Sequence, residues 1–293
     1  MLWQSDEKVK ALQNKKAVKL IKLFFPLYFV LLFFSCRTIE TRIYDIETPL
    51  LSENTEITIV QISDFHSVFY GEKQEKLIDK VKSEEPDLIV LTGDIFDDTV
   101  SARGTQLLLS GIYGIAPIYF VTGNHEYRSG NMQKIKELLW FHEIRILSDE
   151  YVIITIKGNE IVLAGIDDPF KSLYENDNYN QDLAMEVSFR ELDYVNKFKI
   201  LLAHRPERIE KYKKFSFNLI LSGHTHGGQI RLPFLFINGL YAPDQGLFPK
   251  YAGGLYRHDD LIHIVSRGLF KHPLYPRIFN PPELVVIKIK SNR

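Results

Sequence analysis

Five short apolar runs in this 293-residue chain each give way at once to side chains able to hold a metal. Ile57–Ile62 runs into Asp64-Phe65-His66, Leu88–Leu91 into Gly93-Asp94, and Pro117–Val121 into Gly123-Asn124-His125-Glu126. Lys199–Ala203 runs into His204, and Asn218–Ser222 into Gly223-His224-Thr225-His226. Runs of that length, rich in Ile, Val and Leu, read as buried strands, and the amphipathic stretches between them as helices. That alternation predicts one α/β domain over residues 57–290. In open α/β sheets the carboxyl ends of the strands form the ligand-binding rim, so residues spread over more than half the chain can converge there. Five of the nine histidines stand at such ends. Glycine directly before Asp94, Asn124 and His224 allows the backbone to leave its strand sharply and approach an ion closely.

The remaining pattern fills in around these strands. A hairpin is predicted over Tyr151–Ile156 and Ile161–Ala164, turning at Gly158-Asn159. One helix is predicted over Glu72–Ser83, with Leu77, Ile78 and Val81 on one face and Pro86 beyond its end. Another is predicted over Asn131–Trp140, with Ile135, Leu138 and Leu139 behind an Asn cap. Residues 37–56 read as a linker and a lead-in strand. Composition narrows the chemistry. Lys plus Arg (36) nearly balances Asp plus Glu (37), so no nucleic-acid-binding surface is evident, and nothing points to an obligate protein partner. A single cysteine, Cys36, excludes intramolecular disulfides and thiolate clusters, which leaves His, Asp and Asn as metal donors.

The amino terminus has a different character. Residues 1–22 carry six lysines against Asp6 and Glu7 and read as a basic cytoplasmic tail. Residues 23–34 have no charge, and the apolar segment widens to 20–36 when Lys22 snorkels. That length suits a short membrane anchor or a signal, and Phe33-Phe34-Ser35-Cys36 weakly resembles a lipoprotein cleavage site. The expectation is an uncleaved single-pass anchor. By the positive-inside rule the amino terminus then lies in the cytoplasm and the catalytic domain outside it, in a bacterial cell envelope.

Taken one at a time, the strand-end motifs are ordinary turns and helix caps; together and in order they are not. Asp64-x-His66, Gly93-Asp94-x-x-Asp97, Gly123-Asn124-His125-Glu126, His204 and Gly223-His224-x-His226 resemble the calcineurin-like metallophosphoesterases, from about Ile57 to Ile289. Ala203–Glu207, Gly227–Ile230, Ala242–Gly246 and Pro249–Tyr251 further resemble its membrane-anchored branch of YkuE-like and YaeI-like phosphodiesterases. The resemblance implies a four-layer α-β-β-α sandwich, two stacked mixed sheets flanked by helices. It implies two divalent ions of the Mn²⁺, Fe or Zn²⁺ kind, one held by Asp64, His66 and His226, the other by Asn124, His204 and His224, with Asp94 bridging them. A hydroxide shared by such a pair attacks phosphorus. His125 is then the proton donor to the leaving group, oriented by Asp97. Arg205, beside a ligand, either meets a substrate phosphate or forms a structural ion pair.

Gly93–Asp98 lacks the Asp-Arg-Gly continuation of protein serine/threonine phosphatases, so a phosphodiester or pyrophosphate is the expected substrate. The anchor and the aromatic, proline-rich tail (Leu232–Phe236, Leu269-Phe270, Leu274–Pro276, Ile278–Pro282) make a lipid-linked one the preferred class. The alternatives are a non-catalytic metal-binding scaffold and an envelope-binding module on the same fold. His142, His258, His263 and His272 follow no ligand pattern and read as surface or core residues, and Asp167-Asp168-Pro169 as a helix-starting turn.

Overall fold

A computed structural model of the chain describes residues 38–232, 234–235, 237–271 and 276–293. In chain order the strands are β1 (Glu40–Thr48), β2 (Glu56–Ile62), β3 (Leu88–Thr92), β4 (Ile118–Val121), β5 (Arg145–Ile146), β6 (Glu150–Ile156) and β7 (Asn159–Gly165). They continue with β8 (Phe198–Leu202), β9 (Leu219–Ser222), β10 (Tyr241–Ala242), β11 (Gly246–Leu247), β12 (Gly254–His258), β13 (Leu261–Val265) and β14 (Glu283–Ser291). The helices are α1 (Glu75–Ser83), α2 (Arg103–Ile112), α3 (Asn124–Arg128), α4 (Met132–Phe141), α5 (Lys171–Tyr174), α6 (Gln181–Phe189) and α7 (Ile209–Tyr212).

Two mixed six-stranded sheets form, in the orders β1-β14-β2-β3-β4-β5 and β12-β13-β9-β8-β7-β6. The period-2 alternation of strand side chains explains why both faces of each sheet are apolar. Ile57 and Ile59 of β2 and Leu88 and Val90 of β3 face the second sheet, against Leu163, Ile200, Leu202, Leu219 and Leu221. The alternate residues Val60, Ile62, Ile89 and Leu91 point outward onto Leu77, Leu108, Leu109, Ile135 and Leu139 of the helices. Across the molecule, Val162, Ala164, Leu201 and Ile220 pack on Met185, Phe189 and Tyr212. Three apolar layers between four layers of secondary structure make the α-β-β-α sandwich that the resemblance implied.

Strands β2, β3 and β4 run parallel in the first sheet, and β7, β8, β9 and β13 in the second, so their carboxyl ends share a rim within each sheet. Within residues 37–56, β1 is an edge strand of the first sheet. It pairs in parallel with β14, which is itself antiparallel to β2. The starts of β1 and β14 therefore lie at the rim where β2 ends.

The expectation of a membrane-anchored protein with its catalytic domain outside the cytoplasm is corrected here. Among the described residues no helix is long and apolar enough to cross a membrane. The helices that form are short and amphipathic, one face against a sheet, because the sheets take up the apolar runs. The segments read as basic tail and anchor, 1–22 and 20–36, lie outside the described residues.

Candidate metal centre

Each ligand-type residue follows its strand by only two to four positions, where the chain must turn off the sheet. Asp64, His66, Asp94, His224 and His226 all take left-handed backbone conformations, with φ between 48° and 70°. Asp and His tolerate that region better than most residues, but each instance still costs about 1–3 kcal/mol and persists where the surroundings over-determine it. The glycines predicted to permit close approach do so. A Cβ on Gly93 would lie 2.5 Å from His204 Nδ1, and Cβ atoms on Gly123 and Gly223 would collide with Asp94 and Ser63.

The turns bring two groups of donors together. Asp64, His66, Asp94 and His226 present ligand atoms within 4.8 Å of one another, and so do Asp94, His204 and His224. Asp94 belongs to both groups: its Oδ2 lies 3.1 Å from His204 Nε2 and 3.8 Å from His66 Nε2. Within the groups the ring nitrogens face each other, His66 Nε2 and His226 Nε2 at 3.3 Å, His224 Nδ1 and His204 Nε2 at 3.2 Å.

Three of these rings are fixed from behind. His66 Nδ1 meets Asp97 Oδ2 at 2.9 Å, His204 Nδ1 donates to the Thr92 carbonyl at 2.8 Å, and His224 Nε2 meets Asp244 Oδ2 at 2.7 Å. An outer nitrogen engaged in this way presents the lone pair of the inner one, the arrangement that metal-ligating histidines share. Asn124 is buried, and its Oδ1 has no hydrogen-bond partner among the described residues. An orphaned amide oxygen beside convergent imidazoles and carboxylates fits a pair of borderline or hard divalent cations.

Electrostatics point the same way. Burial opposes the charge of Asp94, yet His204, His125 and His66 around it hold its carboxyl well below the ordinary carboxylate range. Against the same burial, His226 holds Asp64 at about 2. Burial opposes the charge of His204 as well, and Asp94 overcomes it and raises that imidazole to about 10. The site is built to hold positive charge.

The structure brings together six of the seven residues expected as ligands, and the seventh, Asn124, follows β4 at the same rim of the first sheet; one neighbouring role is reassigned. Asp97 was expected to orient His125. Instead it bonds His66, and Asp98 takes His125, with Oδ1 2.6 Å from Nδ1; Asp97 Oδ2 is 3.9 Å away. In an irregular loop, successive side chains diverge, and the spacing of two adjacent aspartates does not say which one reaches which ring. Arg205 was open to a substrate phosphate or a structural ion pair. It is 6% exposed and held on two sides by carboxylates, Nε 2.6 Å from Asp168 and Nη1 2.5 Å from Asp244. It thus braces Asp244 behind His224, the structural ion-pair reading. The turn Asp167-Asp168 supplies its counter-ion.

Two residues escaped the sequence reading of roles, and a third had been read only as part of an aromatic tail. Glu126 is fully buried and accepts the backbone N–H groups of Gly123, Asp94, Ile95 and Phe96, tying two ligand loops together. Asp244 had no role until its partner was seen. Phe270, from the aromatic tail, sets its ring 4.5 Å from His66 and 5.1 Å from His226. Leu274 and Tyr275 lie outside the described residues.

Comparison with known proteins is consistent with this geometry. Residues 57–228 match the family model described as calcineurin-like phosphoesterase. The metallophosphoesterase YkuE of Bacillus subtilis is 32% identical over 263 residues, which cover 86% of this chain and 86% of that protein. A metallophosphoesterase of Aquifex aeolicus is 31% identical, covering 85% of this chain and 90% of that one. Among solved structures, the NAD nucleotidase NadN of Haemophilus influenzae superposes with a TM-score of 0.50 at 18% identity. That match covers 74% of this chain and 46% of that one, a likeness of fold.

Proposed function

Since the chain belongs to the calcineurin-like phosphoesterase family, whose members hydrolyse phosphoric esters at a dinuclear divalent-metal site, we propose that its substrate is a phosphodiester or a pyrophosphate. Asp64, His66 and His226 would hold one cation and Asn124, His204 and His224 the other, with Asp94 within reach of both donor groups. Bound there, two divalent cations supply Lewis acidity toward the phosphoryl oxygens and an acidified water.

His125 lies outside both ligand groups, its ring edge-on to His66 with centroids 4.5 Å apart, and its side chain is 21% exposed. With Nδ1 bonded to Asp98, which orients the ring, Nε2 is the nitrogen left to pass a proton to the departing alkoxide. Arg128 Nε stands 3.3 Å from Asp98 and holds that carboxylate in place. Beside Asp97 a cavity of 480 Å³, walled by Phe96, Val100, Ile135 and Leu138, offers room for the organic group of an ester. A lipid-linked substrate, expected from an anchor together with the aromatic tail, loses the support of the anchor.

The observation that carries this reading is the sharing of Asp94 between the two donor groups. It is tested by hydrolysis of bis-nitrophenyl phosphate, inorganic pyrophosphate and nitrophenyl phosphate by the full-length chain with Mn²⁺ and with chelator. Diester or pyrophosphate turnover that chelator abolishes and Asp94→Asn lacks is expected. Turnover of the monoester alone overturns the substrate class, and a metal-loaded chain inert on all three is a binding scaffold.

A further inference from the structure

Among three neighbouring guanidinium groups, two share a pair of carboxylates. Glu283 accepts the backbone N–H of Arg267 through Oε1, while its Oε2 stands 3.4 Å from Arg267 Nε and 3.5 Å from Arg42 Nε. Glu40 takes Arg42 at 2.9 Å and Arg267 at 3.8 Å. Arg231 is left out. It is 7% exposed, and among the described residues no carboxylate forms an ion pair with it. Its Nε donates to the Ile237 carbonyl at 2.8 Å and Nη2 to the Gly253 carbonyl at 3.3 Å, but the buried Nη1 has no partner. A buried cation without a counter-ion is costly, and a fold that keeps one has a use for it.

Arg231 and Arg267 together line a pocket of 300 Å³, with Leu232, Asn238 and Phe279 completing its wall. Gly253 lets the two arginines stand this close: a Cβ there would lie 2.6 Å from Arg267 Cγ and 3.4 Å from Arg231 Nη1. Burial, and then the charge of Arg267, lower Arg231 to about 10, the response of a cation whose neighbour is another cation. We propose that this pocket binds a tetrahedral oxyanion of the phosphate class, as free phosphate or as the phosphate of a larger molecule. Two adjoining guanidinium groups offer donors in more than one plane. That geometry suits the three oxygens of a phosphate better than the two of a carboxylate. None of the proposed metal ligands lines this pocket, although Arg267 in its wall directly precedes Gly268, which abuts Asp64.

The test is calorimetric titration of the full-length chain with inorganic phosphate, with and without chelator. One binding event is expected to survive chelation, to weaken about tenfold or more in Arg231→Gln, and to persist in Asp94→Asn. Acetate is expected to bind more weakly than phosphate, and equal affinity overturns the phosphate class. Octyl phosphate in parallel separates the sources. A gain over inorganic phosphate assigns the apolar wall to an attached organic group, and no gain assigns the site to the free anion. A folded Arg231→Gln that binds phosphate as the native chain does overturns the site, as does the absence of any event under chelator. Should Arg231→Gln not fold, Arg267→Gln carries the same expectation.

Discussion

Two adjacent aspartates, Asp97 and Asp98, face different histidines, so substituting them should separate two kinds of failure. Asp97→Asn removes the carboxylate behind His66, and metal affinity is expected to fall about 10- to 100-fold, read by metal content after dialysis. Asp98→Asn should leave metal content alone and lower turnover with it, in the same direction as His125→Ala, for which a loss of about 10²–10⁴ in kcat is expected. An Asp98→Asn enzyme that loses metal instead would return the orienting role to Asp97. Arg205→Met should act on both counts. It leaves the carboxylate of Asp168 buried without its cation, a loss of about 3–5 kcal/mol by urea denaturation, and it frees Asp244 from behind His224. The donor residues themselves were legible because each sits at a strand end, where local pattern suffices. Their supporting partners were not, because which carboxylate reaches which ring is settled by contacts such as Arg205–Asp244, 39 residues apart.

At the scale of elements, β13 offers a stability test. His263 is fully buried beside His258, Tyr251 and Tyr256, with Nε2 against Ser222 Oγ at 3.0 Å, and burial lowers it to about 3. The unfolded chain protonates this imidazole near pH 6.5 while the folded chain refuses the proton. Its contribution is therefore complete above about pH 6.5 and is lost as pH falls from there toward 3, by up to about 1.4 kcal/mol per unit. In chelator, the drop in urea midpoint between pH 7.5 and 5.5 is expected to be larger in the native chain than in His263→Gln; equal drops refute the buried neutral ring. The five ligand-bearing strands were readable because period and burial agree in runs such as Leu88–Leu91. Strand β1 was readable only as a lead-in strand within residues 37–56, and the order that sets β14 between β1 and β2 was not readable, since a pairing some 240 residues apart leaves no local mark.

For the whole molecule, the proposed ligands join the sheets. Asp64, Asp94 and Asn124 follow strands of the first, His204 and His224 strands of the second. Cations bound between them favour the folded state by mass action, about 2.7 kcal/mol at a hundredfold excess over Kd. Added Mn²⁺ is thus expected to raise the thermal midpoint by several degrees in scanning calorimetry and chelator to reverse it, with Asp94→Asn showing little of either. A native chain indifferent to Mn²⁺ would count against any cation spanning the sheets.

The side-by-side start of the first and last strands has a practical consequence. Because β1 begins at the end of its sheet where β2 releases Asp64, a bulky affinity tag attached directly ahead of residue 38 would be tethered at the rim that carries the donor groups. One attached after Arg293 follows β14 away from it. Kinetic assays and crystals alike should be cleaner with the fusion at the carboxyl terminus.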